Sequence, residues 1–133
     1  MIYIDTGAFL ARYVSRDQYH RRALEGWKRL EESGQQCFAS HFVLSETFTL
    51  LARRAGYRFA AERARHIFSS EHLTILRSSQ EDEYEVLELF EKYADQEVSF
   101  TDCVSFVLMR VKNLRTVFSF DTHFERAGFQ LWG

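Results

Sequence analysis

Two short hydrophobic segments, one near each end of the 133-residue chain, lead directly into an aspartate followed by a threonine. The first is Ile2–Ile4 before Asp5, and the second is residues 117–120 before Asp121. Their β-branched and aromatic residues favour buried strands. Because ligands of open α/β sheets bind beyond the carboxyl ends of the strands, we expect both carboxylates at one edge of a single sheet. The sequence therefore predicts a charged site at this edge, of a kind suited to a metal ion.

Between these two segments, short strand patterns alternate with helical ones. The alternation predicts an α/β fold with a mainly parallel central sheet of about four to five short strands and helices on both faces. The chain has no proline and no low-complexity linker, so we expect one domain over residues 1–133. Strands are expected over residues 2–4, 37–39, 73–76, 116–120 and 129–132, and helices over 7–14, 18–33, 41–55, 57–70, 80–93 and 102–112.

Serine and threonine residues mark where three of these helices should begin. Ser40 precedes the helix at 41–55 as an N-cap. Ser78 and Ser79, with acidic residues three positions on, have the pattern of a capping box. Ser99 or Thr101 is expected to cap the helix at 102–112.

The composition excludes several classes of protein. A chain that is 46% hydrophobic and 16% aromatic can bury a core and is not expected to be disordered. Its longest apolar stretches, such as residues 103–109, are far shorter than the ~18 residues of a membrane helix. The N-terminus shows no leader pattern, so we expect a cytoplasmic protein. Cys37 and Cys103, far apart and in apolar surroundings, are expected to be reduced thiols.

Positive charge is concentrated in the first half of the chain. Residues 1–65 carry 11 basic and 7 acidic side chains, whereas residues 66–133 carry 6 and 12. Arginine, which can contact phosphate through two nitrogens at once, provides 14 of the 17 basic residues. For each arginine alone, an exposed ion pair remains an equal alternative. As a group near an acidic site, the candidate phosphate contacts are Arg53, Arg54 and Arg58, followed by Arg12 and Arg16.

Two further acids lie among apolar residues. Glu46 shares a helical face with Phe42 and Leu50, and Asp102 opens an apolar helix. Each has an ordinary explanation, a side chain at the edge of the core or a first-turn acid favoured by the helix dipole. Together with Asp5 and Asp121 they predict a cation site, because clustered carboxylates repel one another unless a cation neutralises them. Hard oxygen ligands select Mg²⁺ or Mn²⁺, which can activate water and stabilise charge on a phosphate.

Other acid-collecting folds fit the sequence less well. A receiver-type phosphoacceptor domain needs a lysine at a late strand end, and Lys28, Lys92 and Lys112 are not so placed. A haloacid-dehalogenase-like phosphatase needs a second aspartate at the position of Gly7. His123 lies two residues after Asp121, where a role at the rim of the site is favoured over a catalytic one.

The chain resembles PIN domains, and within them the VapC-type toxin ribonucleases. Four motifs carry the resemblance: residues 4–11 around Asp5, the pair Ser45–Glu46, residues 99–103 around Asp102, and residues 120–124 around Asp121 followed by Gly128 and Phe129. The resemblance spans nearly the whole chain, with matching motif order and spacing.

This resemblance implies a Mg²⁺- or Mn²⁺-dependent endoribonuclease that hydrolyses RNA with metal-activated water. It implies Asp5, Glu46, Asp102 and Asp121 as catalytic, metal-binding acids, with Thr6 and Thr101 in support. It also implies a homodimer and a small antitoxin protein as partner. Two alternatives stay open: an RNA-processing nuclease with a housekeeping role, and a PIN fold kept only as a binding module, although the latter is expected to lose at least one acid.

Overall fold

The computed structural model describes residues 1–132, in which one five-stranded sheet is flanked by seven α-helices. The strands are β1 (Ile2–Ile4), β2 (Cys37–Ser40), β3 (Leu73–Leu76), β4 (Thr116–Phe118) and β5 (Gln130–Leu131). The helices are α1 (Thr6–Tyr13), α2 (His20–Ser33), α3 (His41–Ala55), α4 (Tyr57–Phe68), α5 (Gln80–Lys92), α6 (Phe100–Val111) and α7 (His123–Arg126). All neighbouring strands are parallel, in the order β3-β2-β1-β4-β5. The predicted α/β architecture is confirmed.

The predicted element bounds hold to within two residues, and two of the differences have a local cause. Helix α2 starts at His20 instead of residue 18, because the Asp17 carboxylate accepts the Tyr19 amide at 2.8 Å and forms a turn. Strand β4 ends at Phe118, because the next residue, Ser119, turns its hydroxyl to side-chain and backbone partners outside the ladder. A 3₁₀ turn at Ala94–Gln96 was not predicted.

The predicted helix caps are present. The Ser40 hydroxyl accepts the Val43 amide at 2.9 Å. Ser79 and Asp82 form a reciprocal capping box at the start of α5. Of the two candidates for α6, the structure uses Ser99, which accepts the Asp102 amide at 3.1 Å. This cap holds the first turn of α6, and Asp102 with it, in a defined orientation.

Helices cover both faces of the sheet, as two neighbouring strand residues demonstrate. Tyr3 and Val117 are register partners in β1 and β4, and so are Ile4 and Phe118. The Tyr3 hydroxyl meets the Ser105 hydroxyl of α6 at 2.7 Å. The Phe118 ring packs on the opposite face, against Trp27 of α2. Side chains alternate along a strand, so α6 and α2 lie on opposite faces.

Helix α2 approaches the sheet closely at Gly26. A Cβ atom at this position would lie 2.6 Å from Cζ of Phe118, too close for any other residue without a shift. The Phe118 ring has little freedom to move, because Phe120 and Trp132 also pack against it. The absence of a side chain at residue 26 therefore sets the spacing between α2 and β4.

Both cysteines are free and buried, as expected. Burial raises the pKa of each thiol to about 11, so both remain protonated at neutral pH. Within residues 1–132, no helix has the length and apolar character needed to cross a membrane.

Candidate active site

Asp5 lies where β1 ends and α1 begins. Its backbone amide continues the β1–β4 ladder by donating to the Phe118 carbonyl at 3.1 Å. Its carboxylate does not cap α1 but accepts the Ser119 hydroxyl at 2.8 Å. Only 5% of the residue is exposed, so an acid has been placed in the protein interior with a single hydrogen-bonded side-chain partner.

Ser119 connects the two strand-terminal aspartates that the sequence predicted to converge. While its hydroxyl donates to Asp5, the same oxygen accepts the Asp121 amide at 3.0 Å. The Asp121 carboxylate in turn accepts the His123 amide at 2.9 Å. These bonds fix the short loop after β4 beside the end of β1, so the parallel pairing brings Asp5 and Asp121 to one edge of the sheet.

Asp102 enters the same edge from the first turn of α6. It is 9% exposed, and its Oδ2 lies 3.5 Å from Nδ1 of His123. The same imidazole nitrogen is 3.2 Å from Oδ1 of Asp121. Asp102, Asp121 and His123 each offer one potential ligand atom, and these three atoms all lie within 4.8 Å of one another.

Glu46, on α3, completes the acidic group. Its side chain is half-buried and lines the same cleft as Asp5, Asp102 and Asp121. Its negative charge contributes to raising the pKa of the Asp102 carboxyl. All four predicted acids therefore face one cleft of about 740 Å³.

The electrostatics of this cleft disfavour full ionisation. Burial, together with the charges of Asp102 and Asp121, raises the pKa of Asp5 from 3.8 to about 8. Burial, together with the charges of Asp121 and Glu46, raises the pKa of Asp102 to about 7. The carboxylates can all be charged at neutral pH only if positive charge is brought into the cleft.

The polar groups present fit a hard divalent cation. Carboxylate oxygens dominate the donor set, which suits Mg²⁺ or Mn²⁺. The hydroxyl oxygen of Thr6, adjacent to Asp5, is buried and has no hydrogen-bond partner. A buried hydroxyl without a partner is costly unless something in the cleft completes it. The unpartnered oxygen and the raised carboxyl pKa values together indicate a cation site.

The five candidate arginines occupy different surroundings. Arg54 lines the cleft and lies 3.8 Å from the carboxylate of Asp17, another lining residue. Arg16 donates to the Arg54 carbonyl at 2.9 Å and so lies next to it. Arg53 and Arg58 are exposed and do not line the cleft.

Arg12 does not line the acidic cleft. It pairs with Glu31 at 3.0 Å and lies over the Trp27 ring at 4.4 Å, in a separate cavity. Thr101, the second supporting residue predicted from the sequence, is half-buried beside Asp102 but does not line the cleft. Ser99 lines it instead.

Sequence reasoning missed the bridging role of Ser119 and the contact of His123 with two carboxylates. The Ser-x-Asp-x-His order was visible but is too short and common to predict either contact. It also missed Tyr19 and Phe120, whose stacked rings form one wall of the cleft. Asp17 and Glu97 add further acidic side chains to the lining.

Comparison with known proteins places these features in context. Residues 2–130 match the family model of the PIN domain. The chain is 34% identical to the 23S rRNA-specific endonuclease VapC20 of Mycobacterium tuberculosis, over 97% of this chain and 95% of that protein. The crystal structure of VapC20, a Sarcin-Ricin loop cleaving toxin, superposes with a TM-score of 0.85 over 97% of this chain and 96% of the other. VapBC2 from Rickettsia felis, crystallised with a promoter DNA fragment, has a TM-score of 0.68 at 18% identity over 99% and 98% of the two chains, a likeness of fold.

Proposed function

The chain belongs to the PIN-domain family, and from this premise we propose that it is a divalent-metal-dependent endoribonuclease that acts as the toxin of a toxin–antitoxin pair in the cytoplasm. The reaction is hydrolysis of an RNA phosphodiester bond by water. The observation that carries the proposal is the convergence of four carboxylates on one cleft in which two of them have strongly raised pKa values. A bound cation would allow the carboxylates of such a cleft to ionise together at neutral pH, and a cation at carboxylates is the means by which many nucleases cut phosphodiesters.

The residues divide into ligands and positioning groups. Asp5, Asp102 and Asp121 would hold Mg²⁺ or Mn²⁺, with the Thr6 hydroxyl within the same shell of polar atoms. When bound, the cation lowers the pKa of a coordinated water and neutralises charge on the phosphate. Glu46, half-buried on α3, would orient the attacking water or hold a second ion.

Ser119 and His123 act through the acids. The Ser119 hydroxyl holds the Asp5 carboxylate and the Asp121 backbone in register. The His123 imidazole lies against both Asp102 and Asp121 and fixes the direction in which they point. Groups of this kind orient ligands and are expected to influence metal affinity strongly.

The substrate proposal follows from the relative that is 34% identical over nearly its whole length. That protein is described as an endonuclease specific for 23S rRNA, and we take the same RNA as the substrate of this chain. A toxin must be neutralised in its own cell, so a small antitoxin protein is the expected partner.

A homodimer is also expected, since exposed apolar side chains remain on α4. Tyr57 is 81% exposed and Phe68 is 57% exposed. Light scattering tests self-association, and affinity purification from the native host tests for a small partner protein. A monomeric protein with no copurifying partner would contradict the toxin–antitoxin assignment but not the nuclease.

A cleavage assay tests the nuclease directly. Purified protein is incubated with 23S rRNA, and with an oligonucleotide of its sarcin–ricin loop, in Mg²⁺, in Mn²⁺ and in EDTA. We expect cutting with either metal, none in EDTA and none by Asp5→Asn or Asp102→Asn. Asp95→Asn, a change at an exposed residue outside the cleft, is the matched control and should cut normally. Cleavage by Asp5→Asn at the wild-type rate would contradict the proposed site.

A further inference from the structure

A second concavity lies directly beside the acidic cleft. It has a volume of about 620 Å³ and runs between α2 and the ends of β4 and β5. Phe120 lines both the cleft and this groove. Ser119, which bridges Asp5 and Asp121, also lines the groove. The groove and the acidic cleft therefore adjoin each other and share Phe120 in their linings.

Aromatic rings continue from the cleft along the groove. Tyr19 and Phe120 stack nearly parallel, with centroids 4.6 Å apart and planes 6° apart. The ring centroid of Phe118 lies 5.8 Å from that of Phe120 and 5.3 Å from that of Trp132. Because Tyr19, Phe120 and Trp132 are only partly buried, part of their surface is available to a ligand.

Two arginines of α2 lie over these rings. The Arg22 guanidinium is 5.6 Å from the Tyr19 ring centre and 5.1 Å from that of Phe120. The Arg29 guanidinium is 4.8 Å from the centre of Trp132. The two arginines are exposed and seven residues apart, hence on the same side of α2.

The part of the chain that the structure describes offers no ion-pair partner to either arginine. Glu25 and Glu32 also line the groove, yet among residues 1–132 neither Arg22 nor Arg29 forms an ion pair. A guanidinium stacked on a ring keeps its in-plane N–H groups directed outward. These donors are suited to phosphate oxygens, and the adjacent rings are suited to nucleobases.

The four acids of the cleft repel RNA phosphates, so a neighbouring positive surface would add to the attraction that Arg54 and a bound cation provide. Rings interleaved with arginines are the combination that binds unpaired nucleotides. We propose that the groove lined by Arg22, Arg29, Phe120 and Trp132, together with Tyr19 of the adjoining cleft, holds the unpaired nucleotides that flank the scissile phosphate. This inference rests on the proposed nuclease function and specifies the strand that the site accepts. Paired nucleotides do not expose the base faces that the rings require.

The test measures RNA affinity and cleavage separately. Binding of a labelled, unpaired RNA is followed by fluorescence anisotropy across a range of salt concentrations, in an Asp5→Asn background that prevents cutting. The test variant is Arg22→Ala/Arg29→Ala, and Arg22→Lys/Arg29→Lys keeps the charge without the planar group. The matched control is Arg65→Ala/Arg77→Ala, at two exposed arginines that line neither concavity.

We expect the alanine pair to weaken binding about tenfold and to reduce the slope of log affinity against log salt by about 1.4, which is two phosphate contacts on a single strand. The lysine pair should restore the slope but not the full affinity, because stacking is lost. With Asp5 restored, the alanine pair should raise KM for RNA while leaving kcat nearly unchanged. The Arg65/Arg77 control should match the parent protein throughout, and a blunt duplex should compete poorly.

Unchanged affinity and slope in the alanine pair, while the parent still binds and cuts RNA, would overturn the groove assignment and leave the nuclease intact. Equal competition by duplex and unpaired RNA would also overturn it. Groove-dependent binding by a protein that never cuts RNA would support the groove and contradict the proposed function. A parent protein that neither binds nor cuts RNA would overturn both.

Discussion

The Ser119 hydroxyl donates a 2.8 Å hydrogen bond to the Asp5 carboxylate, joining residues 114 positions apart in the sequence. This contact is buried and connects the loop after β4 to the end of β1. It also lowers the pKa of Asp5, against the larger effects of burial and neighbouring charge. Ser119 thus favours the ionised carboxylate that a cation needs, and it positions Asp121 through the backbone.

Replacement of Ser119 should therefore impair cation binding. In Ser119→Ala the pKa of Asp5 rises further, because a favourable hydrogen bond to the charged form is removed. We expect Mn²⁺ affinity and RNA cleavage to fall by about 10- to 100-fold, the usual effect of losing a group that orients a metal ligand. Isothermal titration with Mn²⁺ measures the first and a cleavage assay the second. Ser105→Ala, which removes the buried hydrogen-bond partner of Tyr3 but no hydrogen bond to an acid, should destabilise the protein while leaving Mn²⁺ affinity unchanged.

The stability of the metal-free protein should fall as the pH rises. Below pH 3.8 the Asp5 carboxyl is protonated in both the folded and the unfolded state, so its titration does not change the free energy of unfolding. Between pH 3.8 and about 8 the unfolded chain ionises while the folded site retains the proton, and the free energy of unfolding decreases. Each unit of pKa difference corresponds to about 1.4 kcal/mol, which makes the total several kcal/mol at most.

Urea unfolding in EDTA at several pH values measures this effect. Asp5→Asn should remove the part of the decrease that Asp5 contributes, leaving the part that comes from Asp102, and at pH 8 this variant should be more stable than the parent protein. Asp95→Asn should show the parent's pH dependence. A metal-free parent that is as stable at pH 8 as at pH 5 would contradict the raised pKa.

Divalent cations should reverse this loss of stability. A cation that binds only the folded site adds about 2.7 kcal/mol to the free energy of unfolding at a concentration 100 times its Kd. Because bound protons compete with the cation, we expect a larger rise in Tm at pH 8 than at pH 6. Thermal melts with and without Mn²⁺ at the two pH values measure this rise in Tm. Asp102→Asn should show little rise at either pH, and an equal rise in parent and variant would place the cation elsewhere.

The cleavage products should carry a 5′-phosphate and a 3′-hydroxyl. His123, the histidine in the cleft, lies against two carboxylates, and we expect it to position them instead of serving as a base for 2′-hydroxyl attack. A substrate with 2′-deoxyribose before the scissile phosphate should therefore still be cut. Mass spectrometry of the products identifies the groups at their 5′ and 3′ ends. Products with 2′,3′-cyclic phosphate, formed in EDTA, would show that attack by water is the wrong mechanism.

Arg54 should contribute to RNA affinity more than its neighbours do. It is the arginine of the 53–58 group that lines the cleft, whereas Arg53 and Arg58 are exposed and do not line it. Arg54→Ala should weaken RNA binding and reduce the salt slope by about 0.7, corresponding to one phosphate contact. Arg53→Ala and Arg58→Ala are the matched controls, and their slopes should match the parent protein. Equal losses in all three would indicate a diffuse positive surface.

The fold could be predicted from the sequence because its determinants are local. Short apolar runs such as Leu73–Leu76 are strands, and residues such as Ser40 and Ser79 mark helix starts. The convergence of Asp5 and Asp121 followed from a general property of parallel sheets. The approach of Asp102 and Glu46 to the same cleft was expected from their positions among apolar residues and from family resemblance.

The contacts that organise the site could not be predicted in the same way. Ser119 meets Asp5 only because β1 and β4 are neighbours in a particular register. Arg12 follows the first site acid by seven residues, yet its side chain turns to Glu31 and Trp27. Charge and spacing alone do not reveal where a long side chain will find its partner, because that depends on elements distant in the sequence.

The close packing at Gly26 has a consequence for how variation in this protein would be tolerated. The residue lines the groove, and it touches the ring of Phe118, which immediately precedes Ser119. Adding one methyl group there would push on the strand end from which the site is built, without removing any acid. Gly26→Ala is therefore expected to yield a protein with weakened activity that worsens on warming. Such a conditional variant would allow the gene of the proposed toxin to be propagated at a higher temperature and its product to be studied after the temperature is lowered.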